Sequence, residues 1–155
     1  MALTTLKDVE NILRQVHDPE IPGVNIVDLG MVEAVSFTDA AISVALVPTF
    51  IGCPAQSIIA HRAVQSLRAH VKDSVRVKVV FSLSTPWTTA RITDAGRTAL
   101  IRSGIAPPGP SITDVACPFC GSKETVLENI FASASCRCLF YCSSCQNPFE
   151  AFKPI

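Results

Sequence analysis

The seven cysteines are the residues of this chain best suited to metal or thiol chemistry, and six of them lie beyond residue 116. Two Cys-x-x-Cys pairs occur there, separated by 21 residues: Cys117 with Cys120, and Cys142 with Cys145. Each pair places two thiolates on one side of a tight turn, and two pairs complete a tetrahedron around one metal ion. The spacing therefore predicts a four-cysteine metal site. Zinc is preferred on availability, and a single redox-active iron remains the alternative.

Cys136 and Cys138 lie between the two pairs. Alternate positions on a strand point to the same face, so these two cysteines are candidates for a second site or for a substitute ligand. Free cysteine is also a common small buried hydrophobe. We favour that role for Cys138 and leave both interpretations open for Cys136.

The seventh cysteine, Cys53, stands between a glycine and a proline at the junction of a predicted strand and a predicted helix. Unpaired N–H groups and the positive end of the helix dipole favour a thiolate there. We therefore expect a lowered pKa, with increased nucleophilicity and metal affinity, although an inert buried cysteine is the alternative. The carboxylates that could accompany it are Asp18, Glu20 and Asp28, each also typical of a cap or turn.

Composition excludes several classes of function. Thirteen Lys and Arg residues balance thirteen Asp and Glu residues, so the chain lacks the positive field expected of a nucleic-acid-binding protein. No catalytic triad order, phosphate loop or spaced carboxylate pair occurs, and we expect the chain not to be catalytic itself. The longest apolar stretch is far below the roughly 20 residues of a membrane helix. With no export signal and an odd number of cysteines, the sequence predicts a soluble cytoplasmic protein with reduced thiols.

Hydrophobic periodicity predicts the order α-β-β-α-β-α for the first part of the chain. Prolines and a glycine in "HDPEIPG" end the first helix. Helices are predicted over residues 4–16, 54–71 and 92–105, and strands over residues 31–38, 41–47 and 75–81. The first two strands share a tight turn and are predicted to be antiparallel, which gives an α+β fold with a three-stranded mixed sheet.

Residues 106–111, "APPGPS", are rich in proline and glycine and predict a stiff linker. We therefore divide the chain into a first domain over residues 1–105, this linker, and a module over residues 112–155. A module of 44 residues buries too little apolar surface to fold without a metal or disulfide. The second module is accordingly predicted to be a zinc ribbon.

Four segments carry a resemblance to a known family: "DPEIPGVNIVDLGMV", "PTFIGCPA", "STPWTTARITDAGRTAL" and the tail "CPFCGS…CSSCQNPFEAFKPI". Together they resemble the PaaD proteins of bacterial phenylacetate degradation over nearly the whole chain. The first domain resembles the wider family of small iron–sulfur maturation proteins, which includes SufT and the eukaryotic cytosolic iron–sulfur targeting subunit. The family's reactive cysteine falls on Cys53 and its acidic loop on Asp18, Pro19 and Glu20. Family members also match at Cys136, whereas Cys138 is an addition.

This resemblance implies an accessory role in maturing phenylacetyl-CoA epoxidase, whose reductase subunit carries a [2Fe–2S] centre. Cys53 with Asp18 and Glu20 would hold iron or an iron–sulfur cluster transiently, and the zinc ribbon would dock the client. The implied partners are the epoxidase complex, especially its reductase, and a second copy of the chain. Two alternatives are a non-catalytic subunit or scaffold of the epoxidase and a rubredoxin-like electron carrier.

Overall fold

The computed structural model describes residues 5–155. Within this range the helices are α1 (Leu6–Leu13), α2 (Gln56–Arg68) and α3 (Asp94–Arg102). The strands of the first half are β1 (His17–Asp18), β2 (Ile21–Asn25), β3 (Val32–Phe37), β4 (Ala41–Leu46) and β5 (Arg76–Phe81). The strands of the second half are β6 (Ile105–Ala106), β7 (Thr125–Asn129), β8 (Arg137–Cys142) and β9 (Pro148–Phe152). The predicted helix start at Thr4 lies outside the described residues.

The central sheet of the first half has the order β3-β4-β5. β3 and β4 pair antiparallel, and β4 and β5 pair parallel across the connection made by α2. The predicted α+β class and the mixed three-stranded sheet are therefore confirmed. Helices α1 and α2 supply buried apolar side chains to the core beside this sheet, among them Val9, Leu13, Ile59 and Leu67.

Local sequence explains where the helices begin. Thr5 caps α1 by accepting the Asp8 N–H, and the Asp8 carboxylate accepts the Thr5 N–H in return. Thr93 caps α3 by accepting the Gly96 N–H. Helix α2 begins at Gln56, so the expectation that Pro54 is its first residue is wrong. Two residues, Pro54 and Ala55, therefore separate Cys53 from the helix.

The stretch predicted as a turn after α1 forms a small hairpin instead. β1 and β2 pair antiparallel, with an irregularity between His17 and Asp18. Proline is tolerated in such an isolated two-stranded ribbon because its edges require no ladder N–H. The hairpin buries Ile21 and Val24 in the core, which the turn-rich composition did not indicate.

The second half forms a four-stranded sheet in the order β6-β9-β8-β7. Its edge strand β6 follows directly after α3 and pairs in parallel with β9, with Ala106 opposite Ala151. Residues 105 and 106, at the predicted boundary between first domain and linker, thus belong to the second sheet. The three-part division itself stays a prediction.

The second half of the chain, with its sheet of β6 to β9, is called the ribbon below, and it packs on the first half. The Phe152 ring lies 5.9 Å from the Trp87 ring, centroid to centroid, and both are buried. The Trp87 indole N–H in turn donates to the Leu29 carbonyl at 2.8 Å. The Thr89 N–H donates to the carbonyl of Ile155 at 3.1 Å. Apolar burial and satisfied polar groups together hold the end of the chain against the first domain.

Asp28 joins α1 to α3. Its carboxylate accepts hydrogen bonds from the guanidinium of Arg14, the amide of Asn25 at 2.6 Å and the hydroxyl of Thr93 at 3.1 Å. Burial raises the pKa of Asp28, but these hydrogen bonds outweigh it and hold the pKa below its usual range. The contacts give this candidate carboxylate a structural role.

We expect Asp28→Asn to destabilise the protein by about 1–3 kcal/mol, because an amide cannot accept all three bonds. Stability from a lowered pKa is fully present above the unfolded pKa of about 3.9 and is lost as pH falls through the folded pKa. The unfolding temperature of Asp28→Asn should therefore lie below that of the wild type by the largest amount at neutral pH, and this difference should shrink below about pH 4. Asp39→Asn, at an exposed turn, is the matched control. Equal unfolding temperatures at pH 7 would contradict this role.

Candidate functional site

The four predicted metal ligands come together. The ligand sulfurs of Cys117, Cys120, Cys142 and Cys145 all lie within 4.8 Å of one another. The Cys117 and Cys145 sulfurs are 3.7 Å apart, and those of Cys120 and Cys142 are 3.6 Å apart. Sulfurs 2.3 Å from a tetrahedral zinc would be about 3.8 Å apart. The donor set and its spacing therefore fit one thiolate-bound metal ion.

Two equivalent turns present these sulfurs. Gly121 follows the first pair with φ of 75°, and Gln146 follows the second with φ of 59°. In the first turn the Gly121 N–H donates to the carbonyl of Cys117 at 2.9 Å. Glycine suits this conformation, whereas Gln146 adopts it at a cost. The sequence signal for the first turn was its glycine, and the second turn had none.

The pKa values of the crowded thiols differ from one another because each sulfur affects its neighbours. A hydrogen bond from the side chain of Asn147, with those of neighbouring thiols, lowers the pKa of Cys145 to about 6. Although the Ser122 N–H lowers the pKa of Cys120, desolvation and the neighbouring sulfurs raise it to about 12. Four thiolates at this spacing require a cation to neutralise them.

We expect the purified protein to hold one metal ion per chain and Cys142→Ser to lose it, since three thiolates leave the tetrahedron open. Metal analysis measures this loss, and absorbance identifies the ion because an iron with four thiolates is red and zinc is colourless. Cys138→Ala is the matched control: Cys138 is buried in the same strand, and its thiol donates to the Ala151 carbonyl. Retention of metal by Cys142→Ser would contradict the assignment.

Cys53 is half-buried on the loop between β4 and α2. Its own N–H donates to the carbonyl of Phe50 at 3.0 Å, which closes the turn. The backbone N–H groups of Ala55 and Gln56, at the start of α2, act on the Cys53 thiol and favour its thiolate form. The predicted placement of a thiol before a helix N-terminus is therefore what the structure has.

The acidic loop lies near this thiol. The Asp18 side chain is buried, and its Oδ1 accepts the Glu20 N–H at 2.8 Å. The charges of Asp18 and Glu20 both act on Cys53. Burial raises the pKa of Asp18, against hydrogen bonds from Glu20 and Ile21 and the positive charge of Arg137. A thiol and two carboxylates thus share one neighbourhood, contributed by the β1–β2 hairpin and the α2 loop.

The pKa of Cys53 is raised above its usual range, contrary to the expected lowering. Burial contributes most, and Asp18 and Glu20 add to it, while the N–H groups of Ala55 and Gln56 oppose them. Desolvation and like charge outweigh the helix terminus because a thiolate here would be partly removed from water beside two carboxylates. Cys53 is accordingly a protonated thiol near neutral pH, and a cation that binds it must displace the proton.

We expect Asp18→Asn to accelerate alkylation of Cys53 by iodoacetamide several-fold at pH 8. Removing this negative charge lowers the pKa of Cys53, so more thiolate is present, and the asparagine oxygen keeps the acceptor for the Glu20 N–H. Peptide mass spectrometry measures the rate. Asp39→Asn serves again as the control, because it removes one charge from an exposed turn. An unchanged or slower rate would show that Asp18 does not act on the thiol.

The role of Cys136 was left open by the sequence. In the structure the charges of Asp18, Glu20 and Cys53 all act on its thiol. It is 8% exposed and packs in the hydrophobic core of the first domain, against which Cys53 also packs. Cys138 belongs instead to the separate core of the ribbon. The two cysteines therefore lie in different cores, and their packing does not favour the second site considered for the pair. The family match at Cys136 was the one signal pointing to that residue.

An apolar surface adjoins the Cys53 loop. Ile51 and Leu83 are 76% and 64% exposed, and with Trp87 they border a cavity of about 340 Å³. Pro48, Phe50, Pro86 and Ile155 complete its apolar lining. We call this group the apolar rim. Exposed apolar side chains clustered beside a reactive group are typical of a protein-contact surface.

None of the helices within residues 5–155 combines the length and apolar character needed to cross a membrane.

Two protein-family models match this chain, one in each half of the fold. A family model described as "Iron-sulfur cluster assembly protein" matches residues 6–79, and one described as "PaaD zinc beta ribbon domain" matches residues 108–153. A crystal structure of the domain of unknown function DUF59 from Bacillus anthracis is 26% identical with a TM-score of 0.54, covering 61% of this chain and 89% of that chain. A conserved hypothetical protein from Thermotoga maritima is also 26% identical, with a TM-score of 0.53, covering 63% and 95%.

The chain thus combines a first domain matched by the iron–sulfur cluster assembly model with a four-cysteine ribbon. A curated relative in Escherichia coli (strain K12), named as one subunit of a "Putative 1,2-phenylacetyl-CoA epoxidase", is 37% identical over 150 residues. The match covers 93% of this chain and 90% of the relative. This chain belongs to the PaaD family, as the resemblance of its motifs predicted.

Proposed function

We propose that this protein is an accessory maturation factor of the phenylacetyl-CoA epoxidase system. Cys53, with Asp18 and Glu20, binds iron or an iron–sulfur cluster transiently and passes it to the epoxidase, whose [2Fe–2S] reductase is the client. The observation that carries this proposal is the half-buried Cys53 thiol on the loop before α2, where the charges of Asp18 and Glu20 on the acidic hairpin act on it. The protein works in a reducing cytoplasm, where its thiols stay free.

Incomplete ligation supports transfer over storage. Within residues 5–155, the four ribbon cysteines are the only group of three or more His, Cys, Asp or Glu residues whose ligand atoms all lie within 4.8 Å of one another. The Cys53 neighbourhood offers a more open set of donors, so a bound iron keeps coordination positions for a client's ligands. The raised pKa of Cys53 adds competition from protons, which weakens binding near neutral pH. Weak, shareable binding is what a donor requires.

The ribbon has a structural part in this proposal. Zinc is the ion we propose for its four thiolates, on availability, and the sulfur spacing fits a closed tetrahedral site without an open position. The zinc stabilises the ribbon, which packs on the first domain through Phe152 and Trp87. The ribbon and the nearby apolar rim then provide the surface that meets the client.

We expect Cys53→Ala to reduce the [2Fe–2S] occupancy of the reductase several-fold in cells that express the epoxidase, because the transferring thiol is gone. Absorbance and iron analysis of the purified reductase measure occupancy. Cys138→Ala is the control, since it removes a thiol that lies in the ribbon core. Thermal unfolding of the Cys53→Ala protein verifies that folding is intact. Full occupancy of the reductase with Cys53→Ala would overturn the proposal.

The apolar rim favours a second candidate function, that of a non-catalytic scaffold subunit of the epoxidase. In that case exposed Ile51 and Leu83 would hold the complex together, and Cys53 would handle no metal. Such a subunit would co-purify stoichiometrically with the oxygenase, and its Cys53→Ala variant would behave normally. A rubredoxin-like electron carrier is the third candidate, and it requires iron in the four-cysteine site. Colourless, zinc-loaded protein excludes it.

A further inference from the structure

The ribbon brings two residues to the neighbourhood of Cys53. Arg137 is 6% exposed, and its Nη2 lies 3.5 Å from the carbonyl oxygen of Glu20 on the acidic hairpin. The preceding residue, Cys136, is buried in the first domain's core and not in that of the ribbon. Cys136 therefore packs in the same core as Ile21 and Val24 of the β1–β2 hairpin, which also carries Asp18.

Electrostatics are consistent with this placement. Burial, together with the charges of Asp18, Glu20 and Cys53, raises the pKa of Cys136 to about 11 against the positive charge of Arg137. Those three groups are the ones that form the proposed transfer site. Cys136 is a free thiol with no metal assigned to it, and it is separate from the four ribbon ligands.

We propose that Cys136 is the second thiol ligand of the transfer site, so that the ribbon and the first domain each contribute one cysteine to the transferred iron. This inference rests on the proposed function and deepens it. A divalent cation entering the site displaces one proton from each thiol to solvent and is held between two sulfurs, with a carboxylate of the hairpin nearby. The remaining coordination positions are left for sulfide or for the client's cysteines.

Arg137 supports an anionic occupant. Its Nη1 pairs with Glu150 at 2.8 Å, but its buried Nε has no hydrogen-bond partner among the described residues. The positive charge of Arg137 acts on both Cys136 and Asp18. An iron–sulfur unit with thiolate ligands carries net negative charge, which a nearby guanidinium favours.

Cobalt(II) tests the number of sulfurs directly. We expect Co²⁺, added anaerobically to protein whose ribbon is already zinc-loaded, to give a thiolate-to-cobalt charge-transfer band. Cys53→Ala and Cys136→Ala should each show about half its intensity, and the double variant none, because band intensity follows the number of cobalt–sulfur bonds. Cys138→Ala, the matched control, should behave as wild type. Zinc content measured after titration shows that cobalt has not replaced zinc in the ribbon.

The outcomes separate the two proposals. A band in Cys136→Ala equal to that of Cys138→Ala, with the loss confined to Cys53→Ala, overturns the role of Cys136 and leaves the proposed function standing. No band in the wild type overturns the two-thiol site, while the proposed function is still judged by reductase occupancy in cells. If Cys136→Ala unfolds, iodoacetamide mapping of wild-type protein decides the question. Cobalt should protect both Cys53 and Cys136 from alkylation, and protection of Cys53 alone overturns the inference.

Discussion

Closure of four sulfurs around one ion is the constraint on which the second half of this structure depends. The separate core of the ribbon contains eight buried residues among those described, and two of them, Cys117 and Cys142, belong to the four-sulfur cluster. So small a core offsets little chain entropy without the metal. The metal is therefore what keeps β8 and β9 in register, and those strands set the positions of Arg137 and Phe152 against the first domain.

This dependence links the ribbon's metal site to the proposed transfer site, which lies some distance away along the chain. Phe152 packs on Trp87, whose indole is bonded to the Leu29 carbonyl, so the ribbon is fastened to the first domain's core. The start of β8 then meets the acidic hairpin, where Arg137 approaches Glu20. A ribbon that loses its metal would release this segment, and the surroundings of Cys53 would change without any direct contact between the two metal sites.

The balance of charges at Cys53 suits the proposed role of this thiol in transfer. Two N–H donors at the start of α2 stabilise a thiolate, but burial and the carboxylates of Asp18 and Glu20 oppose it more strongly. The protonated thiol is the resting form, while the same carboxylates attract a cation and offer it oxygen ligands. Binding is thus conditional on an arriving cation and reversible by protons, which distinguishes this site from the closed ribbon tetrahedron.

Much of this protein is determined by patterns that act locally. The Cys-x-x-Cys pairs predicted the ribbon site because each pair needs only its own turn, and the three-stranded mixed sheet followed from periodicity and strand length. The β1–β2 hairpin was missed because its prolines and glycine read as a turn, whereas burial of Ile21 in the core stabilises it. The pKa of Cys53 was wrongly expected to fall, since its sign depends on burial and on carboxylates brought from a different hairpin. Whether Cys136 is a spare core residue or a neighbour of Cys53 depends on how the ribbon docks. The spacing of residues along the sequence does not predict that contact, because it forms only when distant segments of the chain pack together.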